Sequence, residues 1–209
     1  MKKLGCLFAA APSEQGLPTG MCLVFVTPDA QRTMCTYLGT AALLAPDDLN
    51  ETIISGSKIV YMEGYLFDQP VAQEAMVRVA GVANKAGGKV AVTLSDRFCV
   101  ERHRDAFIEL VERNTDILFA NEDEFISLYQ AKNLEQAVKL ASGKCDLICV
   151  TRGEKGAVIL SETKSIEVKS EAVDKLIDTT GAGDQFAAGF LFGLCKGEEL
   201  TACARIGAI

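Results

Sequence analysis

The feature of this sequence that most limits its fold is an alternation of short apolar runs with longer segments of helical period. Strands are predicted at 58–62, 89–95, 116–120 and 146–150, and helices at 70–86, 100–113, 125–130 and 134–142. Strands separated by helices of this length are joined by right-handed crossovers and run parallel. The pattern therefore predicts an α/β fold with a mainly parallel sheet.

Two hairpins flank this alternating region. Residues 21–27 are predicted to form a buried strand that turns at 28–31 and returns over 32–39. Near the other end, residues 157–160 and 165–168 are predicted to pair around a short turn. The sheet is thus expected to carry antiparallel strands beside its parallel ones.

Composition excludes several classes of partner. The formal net charge of −7 argues against nucleic acid, because phosphate backbones require clustered Lys and Arg. No segment approaches the ~20 apolar residues that span a membrane. The opening apolar run at 4–11 stops at Pro12 without a convincing cleavage site, which argues against export. The eight cysteines form no Cys-x-x-Cys pair, as is typical of free thiols in a reducing compartment. We therefore expect a cytoplasmic protein.

A glycine-rich turn, Asp-Thr-Thr-Gly-Ala-Gly-Asp at 178–184, precedes apolar residues at helical spacing. Gly181 and Gly183 permit backbone angles that other residues rarely adopt, so the run predicts a tight turn that opens a buried helix. Free N–H groups and the helix dipole make such a start an anion site. Asp184 beside it could remove a proton from an attacking hydroxyl, or it could simply cap the helix.

Polar residues follow the predicted strands at their carboxyl ends, where ligands bind in open α/β sheets. Glu63 is either a ligand contact or a surface acid before a turn. Asn121 and Glu124, three residues apart on one helix face, could hold the water shell of Mg²⁺ or could be ordinary first-turn residues. Thr151 and Gly153 could let the backbone approach a nucleotide, or could belong to a plain hairpin.

The run DTTGAGDQFAAGFL resembles the C-terminal signature of the ribokinase-like (PfkB-type) sugar and nucleoside kinases. The similarity extends through PTGMCLVFVTPDAQRTMCTYLGTA, YMEGYLFD and LSDRFCVERHR. The last two runs and the C-terminal signature most resemble the sugar-kinase and adenosine-kinase-like bacterial members. The resemblance implies a three-layer α/β/α fold. It also implies phosphoryl transfer from ATP to a hydroxymethyl group of a sugar or nucleoside.

The resemblance further implies roles for individual residues. The implied anion hole comprises Gly181, Ala182 and Gly183, with Asp184 as the base and substrate contact and Glu63 as a second substrate contact. The implied nucleotide and Mg²⁺ residues are Asn121, Glu124, Thr151, Gly153 and Gly156. Asp178 and Thr180 are implied to bind a monovalent cation such as K⁺. The alternative, that Asp178 fixes the turn through its own backbone hydrogen bonds, stays open.

Relatives of this family extend beyond the segments found here, so we expect one partial kinase domain over 1–209. Residues 1–44 would be a remnant of the sheet edge and substrate lobe, and 45–209 the catalytic core. The N-terminal strands, lid and C-terminal helix of the fold would be missing. Exposed sheet edges could then drive association into a homo-oligomer or cause poor solubility. A second hypothesis is a fragment that binds nucleotide without catalysis, whereas a dehydrogenase is rejected because the third glycine of its fingerprint is absent.

Overall fold

The computed structural model describes residues 2–8 and 16–209. The strands are β1 Thr19–Val26, β2 Arg32–Gly39, β3 Ile59–Glu63, β4 Lys89–Thr93, β5 Ile117–Asn121, β6 Leu147–Thr151, β7 Ala157–Ser161 and β8 Ser165–Val168. The α-helices are α1 Glu51–Ser55, α2 Pro70–Lys85, α3 Arg97–Asn114, α4 Glu122–Leu128, α5 Leu134–Ala141, α6 Ala182–Lys196 and α7 Leu200–Gly207. The predicted stop of the opening run at Pro12 lies outside the described residues.

The main sheet has six strands in the order β3-β4-β5-β6-β7-β8. The pairs from β3 to β6 are parallel, and β7 and β8 add antiparallel. The mainly parallel sheet and its terminal hairpin are therefore confirmed. Within the described ranges, no helix has the length and apolar character needed to cross a bilayer.

Helices cover both faces of this sheet. Alternate residues of a strand point to opposite faces, so Val90 and Val92 of β4 pack with α2 to α5, whereas Ala91 packs on the other side. There the partners include Phe186 and Phe190 of α6. Both faces of the parallel strands are buried, as continuous apolar runs require. The predicted three-layer α/β/α fold is confirmed.

The N-terminal hairpin differs from its prediction. β1 and β2 pair antiparallel from Thr19 opposite Gly39 to Val26 opposite Arg32, and they form a separate two-stranded sheet. Every residue of β1 is exposed, including Phe25 at 59%. The prediction of a buried strand at 21–27 is therefore wrong. The residues have strand propensity and apolar character, but no second layer covers them among the described residues.

Candidate active site

The carboxyl ends of the parallel strands bring the predicted polar residues to one edge of the sheet. Glu63 at the end of β3 pairs in register with Thr93 of β4, and Asn121 at the end of β5 pairs with Thr151 of β6. Parallel strands share their direction, so these residues lie at the same carboxyl edge of the sheet, which is where ligands bind in open α/β sheets. The register thus collects residues that are far apart in sequence.

Glu63 is held by a close junction between the ends of β3 and β4. The hydroxyl of Ser95 donates to Glu63 Oε2 at 2.8 Å and accepts from the Gly64 amide, also at 2.8 Å. Burial raises the pKa of Glu63 above its ordinary value, the hydrogen bond from Ser95 opposes this, and the charge of Asp184 adds to the increase. Glu63 and Asp184 therefore lie close enough to interact electrostatically, although 121 positions separate them in sequence.

Asn121 and Glu124 bind each other at the start of α4. The Asn121 side chain accepts from the Glu124 amide at 2.8 Å, while the Glu124 carboxylate accepts from the Asn121 amide at 2.9 Å and from Asn121 Nδ2 at 2.7 Å. This is a capping box, in which two helix-end donors are satisfied reciprocally. Glu124 is only 6% exposed, and burial raises its pKa to about 7.

The oxygen atoms around Glu124 are of the kind that Mg²⁺ prefers as ligands. Within the described part of the chain, no three His, Cys, Asp or Glu side chains cluster as ligands of a metal ion. Mg²⁺ usually retains several waters and binds one or two carboxylates. Each oxygen of Glu124 accepts one hydrogen bond and keeps a further lone pair. The charges of Asp96, Asp123 and Glu63 also raise the Glu124 pKa, and a cation would relieve this repulsion. These residues fit a water-mediated Mg²⁺ site.

The glycine-rich turn forms as the sequence predicts. Gly181 has φ 78° and caps α6 without a side-chain hydrogen bond. The Ala182 amide closes the turn on Thr179 O at 3.2 Å, whereas the amides of Gly183 and Asp184 donate to no backbone acceptor among the described residues. Asp184 is exposed, and its Oδ2 lies 3.8 Å from where a Cβ at Gly181 would be. The carboxylate thus lies over the first turn, outside the packed interior.

Asp178 and Thr180 stabilise this turn from within. Asp178 Oδ1 accepts from the Thr180 amide at 2.8 Å and from the Thr180 hydroxyl at 2.7 Å. These hydrogen bonds lower the pKa of Asp178 below its ordinary value. The contacts match the alternative in which Asp178 fixes the turn, and the K⁺ role of both residues stays a prediction.

Arg32 connects the N-terminal hairpin to the same turn. Its guanidinium Nη1 donates a hydrogen bond to the side-chain oxygen Oγ1 of Thr179. Thr179 directly precedes Thr180 in the turn. A cation is therefore present at the turn that precedes α6. Sequence inspection did not single out Arg32, because a lone Arg at a strand start carries no local signal and its partner is 147 positions away.

Acidic residues surround Tyr65, which follows Glu63 and Gly64. Burial is the main cause that raises the pKa of Tyr65 to about 12, and the charges of Asp96, Glu124, Glu63 and Asp184 contribute to the same increase. Four carboxylates from four different segments therefore act on one phenol. Tyr65 and Asp96 were not predicted as site residues, and neither was Ser95. The only sequence signal for them was their position after a strand end.

The run after β6 forms a tight turn at the same edge. Gly153 has φ 57° and Gly156 has φ 84°, and a Cβ at Gly156 would overlap Val168 O. Thr151 is the last residue of β6, and Arg152 pairs with Glu122 of α4 at 3.1 Å. Thr151, Gly153 and Gly156 therefore form the turn of the β6–β7 hairpin. Their predicted role in lining the ATP phosphates has no contact that decides it and stays a prediction.

Comparison with known proteins identifies the family of this chain. The family model "pfkB family carbohydrate kinase" matches residues 11–209. The chain is 28% identical over 208 residues to the adenosine kinase of Saccharomyces cerevisiae, covering 93% of this chain and 60% of that protein.

Two solved structures are similar at 39% identity and a TM-score of 0.95. They are a probable sugar kinase from Rhizobium etli CFN 42 and the adenosine kinase from Sinorhizobium meliloti. Each match covers 99% of this chain, and 63% and 64% of the respective structures. The chain thus spans about three fifths of the length of these relatives. By the family match over nearly its whole length, the chain belongs to the pfkB family of carbohydrate kinases.

Proposed function

We propose that this chain carries the catalytic part of an enzyme that transfers the γ-phosphoryl group of ATP to a hydroxymethyl group of a sugar or nucleoside. The observation that carries the proposal is the start of α6, where an exposed carboxylate, free main-chain amides and a guanidinium lie together. A base beside an anion site is the arrangement that phosphoryl transfer to an alcohol requires. Family membership supports the same reaction class.

In this mechanism Asp184 takes the proton of the acceptor hydroxyl as the hydroxyl oxygen attacks the γ-phosphorus of ATP. The new O–P bond replaces the bond from the γ-phosphorus to the β,γ-bridging oxygen, and ADP leaves with the electron pair of that bond. The amides of Gly181, Gly183 and Asp184 face the phosphoryl oxygens, where fixed donors stabilise the charge that develops. Arg32 adds a positive charge at the edge of the same turn. The Ala182 amide contributes less, because it already donates to Thr179 O.

Glu63 would bind the acceptor molecule, since it lies at the same strand edge and interacts with Asp184. Asn121 and Glu124 would hold Mg²⁺ through water molecules. When bound, the Mg²⁺ ion would supply positive charge to the phosphate oxygens of ATP. Thr151, Gly153 and Gly156 would line the nucleotide phosphates. K⁺ at Asp178 and Thr180, a cytoplasmic location and a homo-oligomeric state also remain predictions of this proposal.

A second candidate is a module that binds ATP without catalysis. The Asn121–Glu124 capping box and the Asp178–Thr180 turn account for these residues without a metal ion, and this observation favours it. Such a module would keep the anion site at α6 and bind ATP, while no sugar or nucleoside would be phosphorylated. A binding titration with ATP, paired with a turnover assay on the same preparation, separates the two candidates.

The kinase proposal is tested by Asp184→Asn, which keeps the size of the side chain and removes the base. Turnover should fall by about 10²–10⁴-fold, while ATP affinity and the free energy of unfolding stay near the wild-type values. The matched control is Glu135→Gln, which removes a carboxylate from the first turn of α5 and should keep full turnover. Wild-type turnover in Asp184→Asn would reject the base assignment.

A further inference from the structure

The hydroxyl of Ser95 joins the two strand ends that form the acceptor side of the site. It donates to Glu63 Oε2 and accepts from the Gly64 amide, each at 2.8 Å. One hydroxyl therefore orients the carboxylate and satisfies the backbone of the next residue. Because a hydroxyl has one proton, donating it to Glu63 leaves its lone pairs for Gly64, so both bonds are compatible.

Ser95 adopts a backbone conformation that is unfavourable for its residue type. Its φ is 64°, in the left-handed region that non-glycine residues seldom occupy. Gly64, by contrast, has no room for a side chain, since a Cβ there would lie 2.6 Å from Leu94 O and 2.7 Å from Thr93 O. The chain thus uses glycine where the strands touch and retains a strained serine beside it. Strain of this kind persists where the surrounding structure requires it, and it is concentrated at functional sites.

We propose that Ser95 is a positioning residue, which holds the Glu63 carboxylate toward Asp184 and the acceptor hydroxyl. This inference rests on the proposed kinase function and deepens it, because it names the group that orients the acceptor-binding acid. Ser95 acts through Glu63 and is not itself a catalytic residue. Without the Ser95 hydroxyl, the Glu63 carboxylate would no longer be held in one orientation, and the acceptor would bind in several orientations.

The charged and titratable groups around Glu63 come from several elements. Tyr61 lies on the same strand, Tyr65 follows it, Asp184 faces it from α6, and Glu124 interacts with it from α4. Burial is the largest effect and raises the Glu63 pKa, as does the charge of Asp184, whereas hydrogen bonding from Ser95 and, to a smaller extent, from Tyr61 lowers it. Deleting the hydroxyl should therefore raise the Glu63 pKa.

Two variants separate the hydrogen bond from the backbone strain. Ser95→Ala removes the hydroxyl and keeps the strain, whereas Ser95→Gly removes both, because glycine adopts positive φ freely. Both should lose about tenfold in kcat/KM for the acceptor with an unchanged KM for ATP, as loss of a hydrogen bond to a charged group predicts. Ser95→Gly should unfold at a higher urea concentration than Ser95→Ala. Asparagine tolerates the left-handed backbone region and has a side-chain amide that can donate a hydrogen bond. Ser95→Asn should therefore be more active than Ser95→Ala and less active than the wild type.

The second readout is the carboxyl pKa of Glu63, measured by ¹³C NMR in the whole chain and assigned with Glu63→Gln. It should rise in both Ser95→Ala and Ser95→Gly, whether or not the preparation turns over. A rise in a preparation without kinase activity would uphold the role of Ser95 and reject the proposed function. An unchanged Glu63 pKa in both variants would overturn the inference. Wild-type kinetics in Ser95→Gly would also overturn it, because activity would then depend on stability and not on the hydroxyl.

Discussion

The N-terminal hairpin and the six-stranded sheet are built from similar residues, yet they differ in what surrounds them. Phe25 of β1 is 59% exposed, whereas Phe119 of β5 is 4% exposed and lies edge-on to Phe190 with ring centroids 5.7 Å apart. Both are aromatic residues in strands. The difference shows that β propensity and apolar character specify a strand, while burial depends on which layers the rest of the chain supplies.

The two regions also divide the proposed chemistry. The sheet presents Glu63, Asn121 and Thr151 at its carboxyl edge. The hairpin contributes Arg32, which reaches the turn before α6. The buried six-stranded sheet thus positions most of the proposed site, and the exposed N-terminal hairpin adds the cation Arg32.

The largest expected effect tests the difference in burial directly. Phe119→Ala should lower the free energy of unfolding by about 3–5 kcal/mol, because it leaves a cavity between β5 and α6. Phe25→Ala, the matched change in β1, should alter it by about 0.5 kcal/mol or less, as surface substitutions usually do. Urea denaturation of both variants is the measurement. Equal losses would mean that the hairpin is packed as well as the sheet.

The second prediction concerns a buried acid. The pKa of Glu124 is raised from 4.5 to about 7, so the folded state binds its proton more tightly than the unfolded state. Stability from this group is complete below pH 4.5 and is lost as the pH rises through 7. The loss should reach about 3 kcal/mol, from 1.36 kcal/mol per pKa unit. Urea midpoints measured across this range should fall in the wild type and much less in Glu124→Gln.

An acid of the hairpin provides the control for this second prediction. Asp29 is fully exposed, and its pKa is lowered by hydrogen bonds from Thr27 and Gln31. Asp29→Asn should therefore leave the pH dependence between 4.5 and 7 as it is in the wild type. If Glu124→Gln kept the wild-type slope, the buried carboxyl would not be the group that titrates. Added Mg²⁺ should flatten the wild-type slope if Glu124 holds the ion.

The smallest expected effect lies where the two regions meet. Arg32→Ala should lower turnover by about 10–100-fold, which corresponds to about 1.5–3 kcal/mol for a hydrogen bond to a charged group. Thr179→Val removes the hydroxyl that accepts the hydrogen bond and keeps the guanidinium. Its loss of turnover should therefore be smaller than that of Arg32→Ala. Neither should change the free energy of unfolding by more than about 0.5 kcal/mol, because the contact is exposed. Steady-state kinetics that match the wild type in Arg32→Ala would confine the site to the sheet and α6.

Much of the architecture was predictable because its signals are local. The alternation of short apolar runs with segments of helical period predicted β3 to β6 and their helices, and the glycine pair predicted the turn at Gly181 with its positive φ. The capping contacts of Asn121 and Glu124 also follow from their spacing of three. The wrong prediction, a buried β1, concerned contact with other layers, which no local pattern reports.

The sequence by itself determined the strands, the helices, the family signature and the acids that follow each strand. Only the tertiary structure decided that Ser95 hydrogen-bonds to Glu63, that Arg32 reaches Thr179 and that β1 lies exposed. The physical reason is the range of the interactions. Propensity and periodicity act within a few residues, whereas the site is assembled by sheet register and helix packing between segments that are up to 147 positions apart.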